Sequence, residues 1–183
     1  MDKRKEKTLN AIFDAFENLI QEKNYDDITI QDILDISKIG RSTFYSYFKE
    51  KDDLLDAIGS SIFEHVFSHS LEEEGSHDFS KSNFYDYRSL ITHIFYHIQD
   101  KKVLMKGILR SNGINIFLNE FKSHLYKLAD SYYANYPSLA EEMPLSLKKA
   151  FLVEDFITII RYWIEDDFKE TPERLTTYFV SRL

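Results

Sequence analysis

The sequence predicts an all-α protein, and three observations lead to that prediction. The chain of 183 residues contains only 5 Gly and 3 Pro, so residues that interrupt helices are rare. Apolar residues recur at spacings of three and four along most of the chain, which is the pattern of helices with one buried face. No segment alternates between apolar and polar residues for long enough to indicate a strand.

Four helices are expected in the first part of the chain. The first covers residues 5–23 and ends where KNYDD interrupts the apolar stripe. Thr29 then starts a short second helix, with Asp32 as its capping-box partner. A third helix is expected over residues 41–48. The fourth runs over residues 52–70 and carries acidic residues in its first turn, where the helix macrodipole favours negative charge.

A polar segment, LEEEGSHDFSKSN, separates this part from the rest and predicts a domain boundary near residue 72. We therefore expect an N-terminal domain at residues 1–71 and a C-terminal helical domain at residues 72–183. Thr171 and Pro172 suit the N-cap and first turn of the last helix. The helices expected in the C-terminal domain, which bring the total to about nine, cover residues 84–99, 101–110, 113–134, 145–167 and 172–183.

Composition restricts the function classes. The chain has no Cys, so disulfides and thiolate metal sites are excluded and a reducing cytoplasm is expected. The N-terminus does not have the pattern of a signal peptide, and no apolar run reaches the roughly 18 residues that span a membrane. A net charge of −8 counts against a general nucleic-acid binder, so any DNA contact requires basic residues gathered on one face.

The segment at residues 29–48 has the form of a helix-turn-helix, in which a second short helix enters the major groove of DNA. Phe44 and Phe48 are four residues apart and are expected to fasten that second helix to the core. The remaining faces of the helix carry an arginine and several hydroxyl groups, which are suited to phosphates and base edges.

The chain also resembles a known family over residues 5–60. The segment from Thr29 to Leu55 reads TIQDILDISKIGRSTFYSYFKEKDDLL and is similar to the helix-turn-helix signature of TetR-family transcriptional regulators. The family's spacing is matched by Thr29, Ile33, Ile39, Thr43, Tyr45, Phe48, Lys51 and Leu54. Lys38 departs from the usual Gly and is expected to need a left-handed backbone at some cost, and Tyr47 replaces the usual His.

This resemblance implies a homodimer that binds a palindromic operator in double-stranded DNA. It implies phosphate contacts from Thr29, Tyr45, Tyr47 and Lys51, and base contacts from Arg41, Ser42 and Thr43. In an alternative interpretation, the two tyrosines only cap the core and keep their hydroxyls in water. Two readings also stay open for the basic run Lys3, Arg4, Lys5 and Lys7, which is either an arm that contacts DNA or a solvated terminus.

The resemblance further implies that the C-terminal helices dimerise and enclose a pocket for a small hydrophobic or amphipathic effector. Aromatic residues are abundant there, as in many ligand pockets, but they are equally consistent with an ordinary core. The residues expected to line the pocket are His93, His97, Arg110, Arg161, Tyr162 and Trp163. The residues expected at the dimer seam are Phe151, Leu152, Ile159 and Phe179.

Two histidine pairs, His65 with His69 and His93 with His97, each have the spacing that puts both rings on one helix face. A metal site needs a third ligand and no HExxH motif occurs, so we expect exposed histidines, no metal and no cofactor. No catalytic set is recognisable. Three hypotheses remain: a repressor released by a small effector, a regulator acting as an activator or through a protein partner, and a helical enzyme or metal protein.

Overall fold

The computed structural model describes residues 3–68, 87–135 and 143–182. Every regular element within these ranges is helical, which confirms the all-α class. The helices are α1 (Lys3–Glu22), α2 (Ile30–Ser37), α3 (Arg41–Tyr45), α4 (Asp52–Ser68), α5 (Tyr87–Asp100), α6 (Lys102–Ile108), α7 (Gly113–Asn135), α8 (Leu145–Glu165) and α9 (Pro172–Val180). The linker and boundary expected near residue 72 lie outside the described residues.

The ends of the helices follow local backbone chemistry. The third helix ends at Tyr45 rather than at Phe48, because the amide of Tyr47 bonds the carbonyl of Phe44 three residues back and tightens the chain into a turn. A 3₁₀ turn at Tyr25–Asp27, which the sequence did not predict, follows α1. Thr171 caps α9 by accepting a hydrogen bond from the Arg174 amide, as expected from the sequence.

One compact unit contains residues 3–58 and 101–117. Within it, α1 packs against α2 and α6, and its buried stripe includes Ile12, Phe16 and Leu19. The contact with α6 is close because Gly107 has no side chain. A Cβ atom at Gly107 would lie 2.0 Å from Cγ2 of Ile20 on α1. This unit holds all of the helix-turn-helix.

A second compact unit contains, among the described residues, 59–68, 87–100, 118–135 and 143–182, and in it α5 and α8 both pack against α9. Its core is aromatic: the rings of Phe95 and Phe156 stack with centroids 4.8 Å apart, and Phe179 meets Phe156 edge-on at 5.1 Å. Trp163 is fully buried and its indole Nε1 donates to the carbonyl of Glu170 at 2.8 Å. No helix in the described parts of the chain is long and apolar enough to cross a membrane.

Candidate nucleic-acid interface

The helix-turn-helix begins with a complete capping box at the start of α2. The Thr29 hydroxyl accepts from the Asp32 amide at 3.2 Å and donates to the Asp32 carboxylate at 2.8 Å, while the Thr29 amide donates to the same carboxylate at 2.9 Å. Hydrogen bonds from Lys23 and Thr29 hold the pKa of Asp32 well below its usual range. Thr29 therefore has a structural task, and its contact with phosphate stays a prediction.

The turn between α2 and α3 has the strain that the sequence predicts. Lys38 adopts the left-handed conformation, with φ 57° and ψ 22°, and its amide donates to the carbonyl of Leu34 at 3.0 Å. A residue with a Cβ atom pays about 1–2 kcal/mol for this conformation. The left-handed residue ends α2 and lets the chain reverse into α3, which starts three residues later at Arg41.

Two phenylalanines attach α3 to the core, as predicted. Phe44 is fully buried, Phe48 is 5% exposed, and their ring centroids are 5.6 Å apart. Phe48 also contacts Phe13 of α1 at 6.1 Å between centroids. The five-residue α3 is held in one orientation because Phe44 within the helix and Phe48 just after it are both buried.

The opposite face of α3 is open to solvent. Arg41, Ser42 and Thr43 are exposed, and the Tyr45 side chain is 46% exposed. The Arg41 guanidinium donates to the side-chain oxygen of Gln31 on α2, and the amide nitrogen of Gln31 donates to Asp35 at 2.8 Å. This relay gives the guanidinium a defined position. Gln31 was not among the residues predicted from the sequence, because nothing in the sequence pairs it with Arg41, ten positions later.

Tyr47 is half-buried, and its ring faces the basic run at the N-terminus. Nζ of Lys5 lies 5.9 Å from the Tyr47 ring centroid, within the range of a cation–π contact. The basic run forms the beginning of α1, where its four cations are all exposed: Lys3, Arg4, Lys5 and Lys7. Positive charge is unfavourable at a helix N-terminus, so the stability of α1 does not account for this cluster.

The Lys51 ammonium group bonds to the protein itself, whereas a phosphate ligand would present its charge to solvent. Its ammonium donates to the carbonyls of Tyr25, Asp26 and Ile28 at 2.6, 3.2 and 2.9 Å, and it lies 4.3 Å from the Tyr25 ring centroid. The Tyr25 hydroxyl in turn donates to Asp52, and burial together with this carboxylate raises the pKa of Tyr25. Lys51 as a phosphate ligand stays a prediction, but these contacts favour a structural role.

The residues expected to form an effector pocket differ in burial and belong to two compact units. Arg110 is exposed and belongs to the first compact unit, whereas the other residues of the set belong to the second. Tyr162 is 48% exposed, and Trp163 lies in the aromatic core against Phe95 and Phe168. The effector pocket stays a prediction, and for Trp163 the structure favours the interpretation as core.

The expectation that the histidines are exposed is wrong for α5. His93 is fully buried and His97 is half-buried, because α5 is covered on most of its surface. Nε2 of His93 and Nε2 of His97 are 2.8 Å apart. His65 of α4 supplies a third ring beside them. His69, its expected partner, lies outside the described residues. Helical spacing predicted the α5 pair but could not predict the ring from α4.

The expected dimer seam needs a correction. Leu152 and Phe179 are 6% and 1% exposed, so both belong to the core of their own protomer. Phe151 is 53% exposed and Ile159 is half-buried, which keeps both available to a partner. The assignment of the dimer interface to α8 and α9 stays a prediction, and only the burial of Leu152 and Phe179 corrects it. The large apolar or aromatic side chains that are exposed on α8 and α9 are Leu145, Leu147, Phe151, Tyr162 and Tyr178.

Two family models match the chain. The model described as "Bacterial regulatory proteins, tetR family" matches residues 12–58, which include the helix-turn-helix. The model described as "Transcriptional regulator C-terminal region" matches residues 86–181, more than half of the chain. The protein is therefore a helix-turn-helix transcriptional regulator by class. It belongs to the TetR family, which confirms the resemblance seen in the sequence.

Two curated proteins that this chain resembles are also described as helix-turn-helix transcriptional regulators. The HTH-type dhaKLM operon transcriptional activator DhaS of Lactococcus lactis subsp. lactis is 27% identical over 123 residues, which make up 66% of this chain and 60% of that protein. An uncharacterized HTH-type transcriptional regulator of Haemophilus influenzae is 25% identical over 106 residues, 58% of this chain and 55% of that protein. The matched region thus spans less than two thirds of either relative.

Solved structures of regulators match over nearly the whole chain. A TetR transcriptional regulator from Streptococcus agalactiae 2603V has a TM-score of 0.65 at 28% identity, covering 99% of this chain and 96% of that one. A putative TetR-family regulator from Syntrophomonas wolfei has a TM-score of 0.67 at 20% identity, with coverages of 98% and 92%. The dihydroxyacetone kinase operon activator DhaS has a TM-score of 0.59 at 21% identity, with coverages of 96% and 93%. The last two comparisons concern the fold alone. The family and these neighbours are regulators and not enzymes.

Proposed function

We propose that this TetR-family regulator binds a palindromic operator in double-stranded DNA as a homodimer, with α3 in the major groove. The observation that carries the proposal is the division of the segment from α3 to Phe48 into a buried side and an exposed side. Phe44 and Phe48 are buried, while Arg41, Ser42 and Thr43 are exposed. A helix that is fixed on one side and presents polar groups on the other is what base recognition requires.

The side chains on the open face have the chemistry for both kinds of DNA contact. Arg41 can donate two parallel hydrogen bonds to guanine, and its bond to Gln31 limits the entropy that it loses on binding. Tyr45 and Tyr47 offer hydroxyl donors to phosphates. Lys5 adds a positive charge beside Tyr47, which supports the interpretation of the basic run as part of the phosphate-binding surface.

A homodimer is supported by the exposed apolar side chains of α8 and α9. Leu147 and Phe151 of α8 are 43% and 53% exposed and lie four residues apart, on one face of the helix. Tyr178 of α9 adds an exposed ring. A two-fold partner would bury this surface and would also double the groove contact that one short recognition helix supplies. A regulator of this kind acts on the chromosome, in the cytoplasm.

The test begins with genomic fragments selected by the purified protein, from which an operator duplex is made. Fluorescence anisotropy then compares the operator with a scrambled duplex. Arg41→Ala is expected to cost about 1–3 kcal/mol of binding free energy on the operator and little on the scrambled duplex, because a base contact is lost. Arg110→Ala is the matched control, since this exposed arginine lies away from α3 in the sequence.

Two outcomes of this assay would contradict the assignment of α3 to the major groove. If Arg41→Ala is folded and binds both duplexes like the unsubstituted protein, α3 does not read bases. If Arg41→Ala and Arg110→Ala weaken binding equally on both duplexes, the arginines contribute only general charge. In either case the assignment of α3 to the major groove would be wrong.

A second candidate concerns the direction of regulation. The sequence favours a repressor released by a small effector, but the relative from Lactococcus lactis is described as a transcriptional activator. That description supports activation as the second candidate for this protein. A reporter gene behind the selected operator separates the two: deletion of the regulator raises expression if it represses and lowers expression if it activates.

A further inference from the structure

Three histidines meet in the second compact unit, outside the candidate DNA-binding surface. His65 lies in the last part of α4, and His93 and His97 lie on one face of α5. One ring nitrogen from each residue lies within 4.8 Å of the other two. His93 is fully buried and the other two are half-buried, so the cluster is covered but remains reachable from solvent.

The three imidazole rings pack closely against one another. The centroid of His65 is 4.6 Å from that of His97 and 5.9 Å from that of His93, with both pairs close to perpendicular. The two Nε2 atoms of α5 face each other at 2.8 Å. Only one proton can lie between those two nitrogens, so at least one of them presents a lone pair to the other.

A metal ion suits this arrangement. In a tetrahedral site with Zn–N bonds of about 2.0–2.1 Å, ligand nitrogens lie roughly 3.3–3.4 Å apart. In the cluster, the two Nε2 atoms of α5 are 2.8 Å apart, and one nitrogen from each of the three rings lies within 4.8 Å of the other two. Binding of one ion would require the imidazole rings to adjust until their nitrogens reach this separation.

The second ring nitrogen of His97 has the partner that a metal-bound histidine commonly has. Nδ1 of His97 lies 3.6 Å from the Asp100 carboxylate, one helical turn further along α5. This separation exceeds a hydrogen bond, but a carboxylate this close favours a proton on Nδ1 electrostatically and, within hydrogen-bond distance, would orient the ring and make Nε2 a stronger ligand. The same Nε2 faces His93, so the carboxylate and the ligand pair act on opposite sides of one ring.

We propose that His65, His93 and His97 bind a late first-row divalent metal ion, with Zn²⁺ as the best match. Three neutral imidazoles suit Zn²⁺, Cu²⁺ or Ni²⁺, whereas Mg²⁺ and Ca²⁺ prefer oxygen ligands. Three protein ligands leave a fourth position for water or another small ligand. The proposal goes beyond DNA binding and does not depend on it, because no residue of the proposed recognition surface takes part.

In the alternative interpretation, the three histidines hold a shared proton and no metal ion. Without metal, His93 and His97 would share one N–H···N hydrogen bond, and His65 would pack against both rings. The two interpretations differ in a measurable way: a metal site has a fixed stoichiometry and depends on all three residues, whereas a hydrogen-bonded trio does not bind Zn²⁺ with a defined stoichiometry.

The test uses the full chain without an affinity tag and ZnCl₂ as the probe. Isothermal titration calorimetry and elemental analysis are expected to give one Zn²⁺ per chain, and MgCl₂ is expected to give no binding. Co²⁺ in place of Zn²⁺ should show the strong visible absorption of a tetrahedral site. Thermal unfolding in rising Zn²⁺ should shift to higher temperature, since an ion that binds only the folded state stabilises it.

Single substitutions identify which side chains bind the metal ion. Asp100→Asn is expected to weaken Zn²⁺ binding about 10- to 100-fold, as is typical of a partner behind a ligand. His65→Gln and His93→Gln remove direct ligands and should weaken it more than Asp100→Asn does. His124→Gln is the matched control, because His124 lies in the same unit and has its own carboxylate neighbour, Glu120, at 3.3 Å.

Circular dichroism checks that each variant is folded. His65 is only half-buried, so His65→Gln keeps the test decisive even if replacement of the buried His93 unfolds the protein. The proposal is overturned if the unsubstituted protein binds no Zn²⁺. It is also overturned if folded His65→Gln retains the affinity and stoichiometry of the His124→Gln control.

Discussion

Replacement of Lys51 by Met is expected to destabilise the helix-turn-helix unit, because Lys51 holds the segment between α1 and α2. All three protons of its ammonium group are directed at carbonyls of this segment, those of Tyr25, Asp26 and Ile28. The Tyr25 ring completes the surroundings of the charge at 4.3 Å. Methionine keeps the length of the aliphatic stem and removes only the charge and the donors.

The size of the effect follows from these contacts. A hydrogen bond to a charged group contributes about 1.5–3 kcal/mol, and a cation–π contact contributes about 0.5–2 kcal/mol. The contributions do not add, since one ammonium makes all of them. Water can also replace part of the loss, because the bond to Asp26 is exposed and only the bonds to Tyr25 and Ile28 are partly buried. We expect the free energy of unfolding to fall by about 2–3 kcal/mol.

Urea denaturation measures this loss, with Lys49→Met as the control because Lys49 is exposed and lies two residues away. Lys51→Arg is a second informative variant. It keeps the positive charge, but a planar guanidinium cannot direct donors at three converging carbonyls as an ammonium does. Lys51→Arg should therefore lose stability as well, while Lys49→Met should not.

The opposite outcome would refute this reasoning and support the role implied by the sequence. In that case Lys51→Met would unfold at the same urea concentration as the unsubstituted protein. It would bind operator and scrambled duplexes more weakly by a similar factor, and the salt dependence of binding would fall by about one unit per half-site. Lys51→Arg would then retain most of the affinity.

Three further predictions concern other parts of the fold. Lys38→Gly should raise the unfolding free energy by about 0.5–1 kcal/mol in urea, because relief of the left-handed strain exceeds the entropy cost of glycine; an unchanged midpoint would mean that Lys38 is not strained. Gly107→Ala should lower stability by about 1–3 kcal/mol in thermal melts, since its Cβ would meet Ile20; a rise would show that α6 can move away from α1. Phe151→Glu should yield monomers in light scattering at micromolar concentration, and a persistent dimer would mean that the seam lies elsewhere.

Local features of the chain were predictable from the sequence alone. The capping box of Thr29 with Asp32, the left-handed Lys38 and the inward orientation of Phe44 and Phe48 are all found as expected. Each of these depends on residues within one or two helical turns of one another. Spacing, capping preference and backbone sterics act over that distance and leave little choice to the rest of the molecule.

Contacts between distant segments were decided by the tertiary structure. Lys51 lies at the position where the family's spacing implies a phosphate contact. Its ammonium, however, donates hydrogen bonds to carbonyls more than twenty residues earlier in the chain. Gly107 would ordinarily be improved by Ala in a helix, yet the approach of α1 reverses the expected sign. The sequence also could not bring His65 next to the two histidines of α5.

The same limit explains the corrected dimer seam. Helical periodicity identifies residues that share a face, but it does not determine which face meets a neighbouring helix of the same protomer. On α8, Leu152 is buried while Phe151, the preceding residue, is exposed. The sequence determined the helices and the helix-turn-helix because these form through local interactions. The structure decided which side chains of these helices are buried and which are exposed, because burial depends on helices that are far apart in the chain.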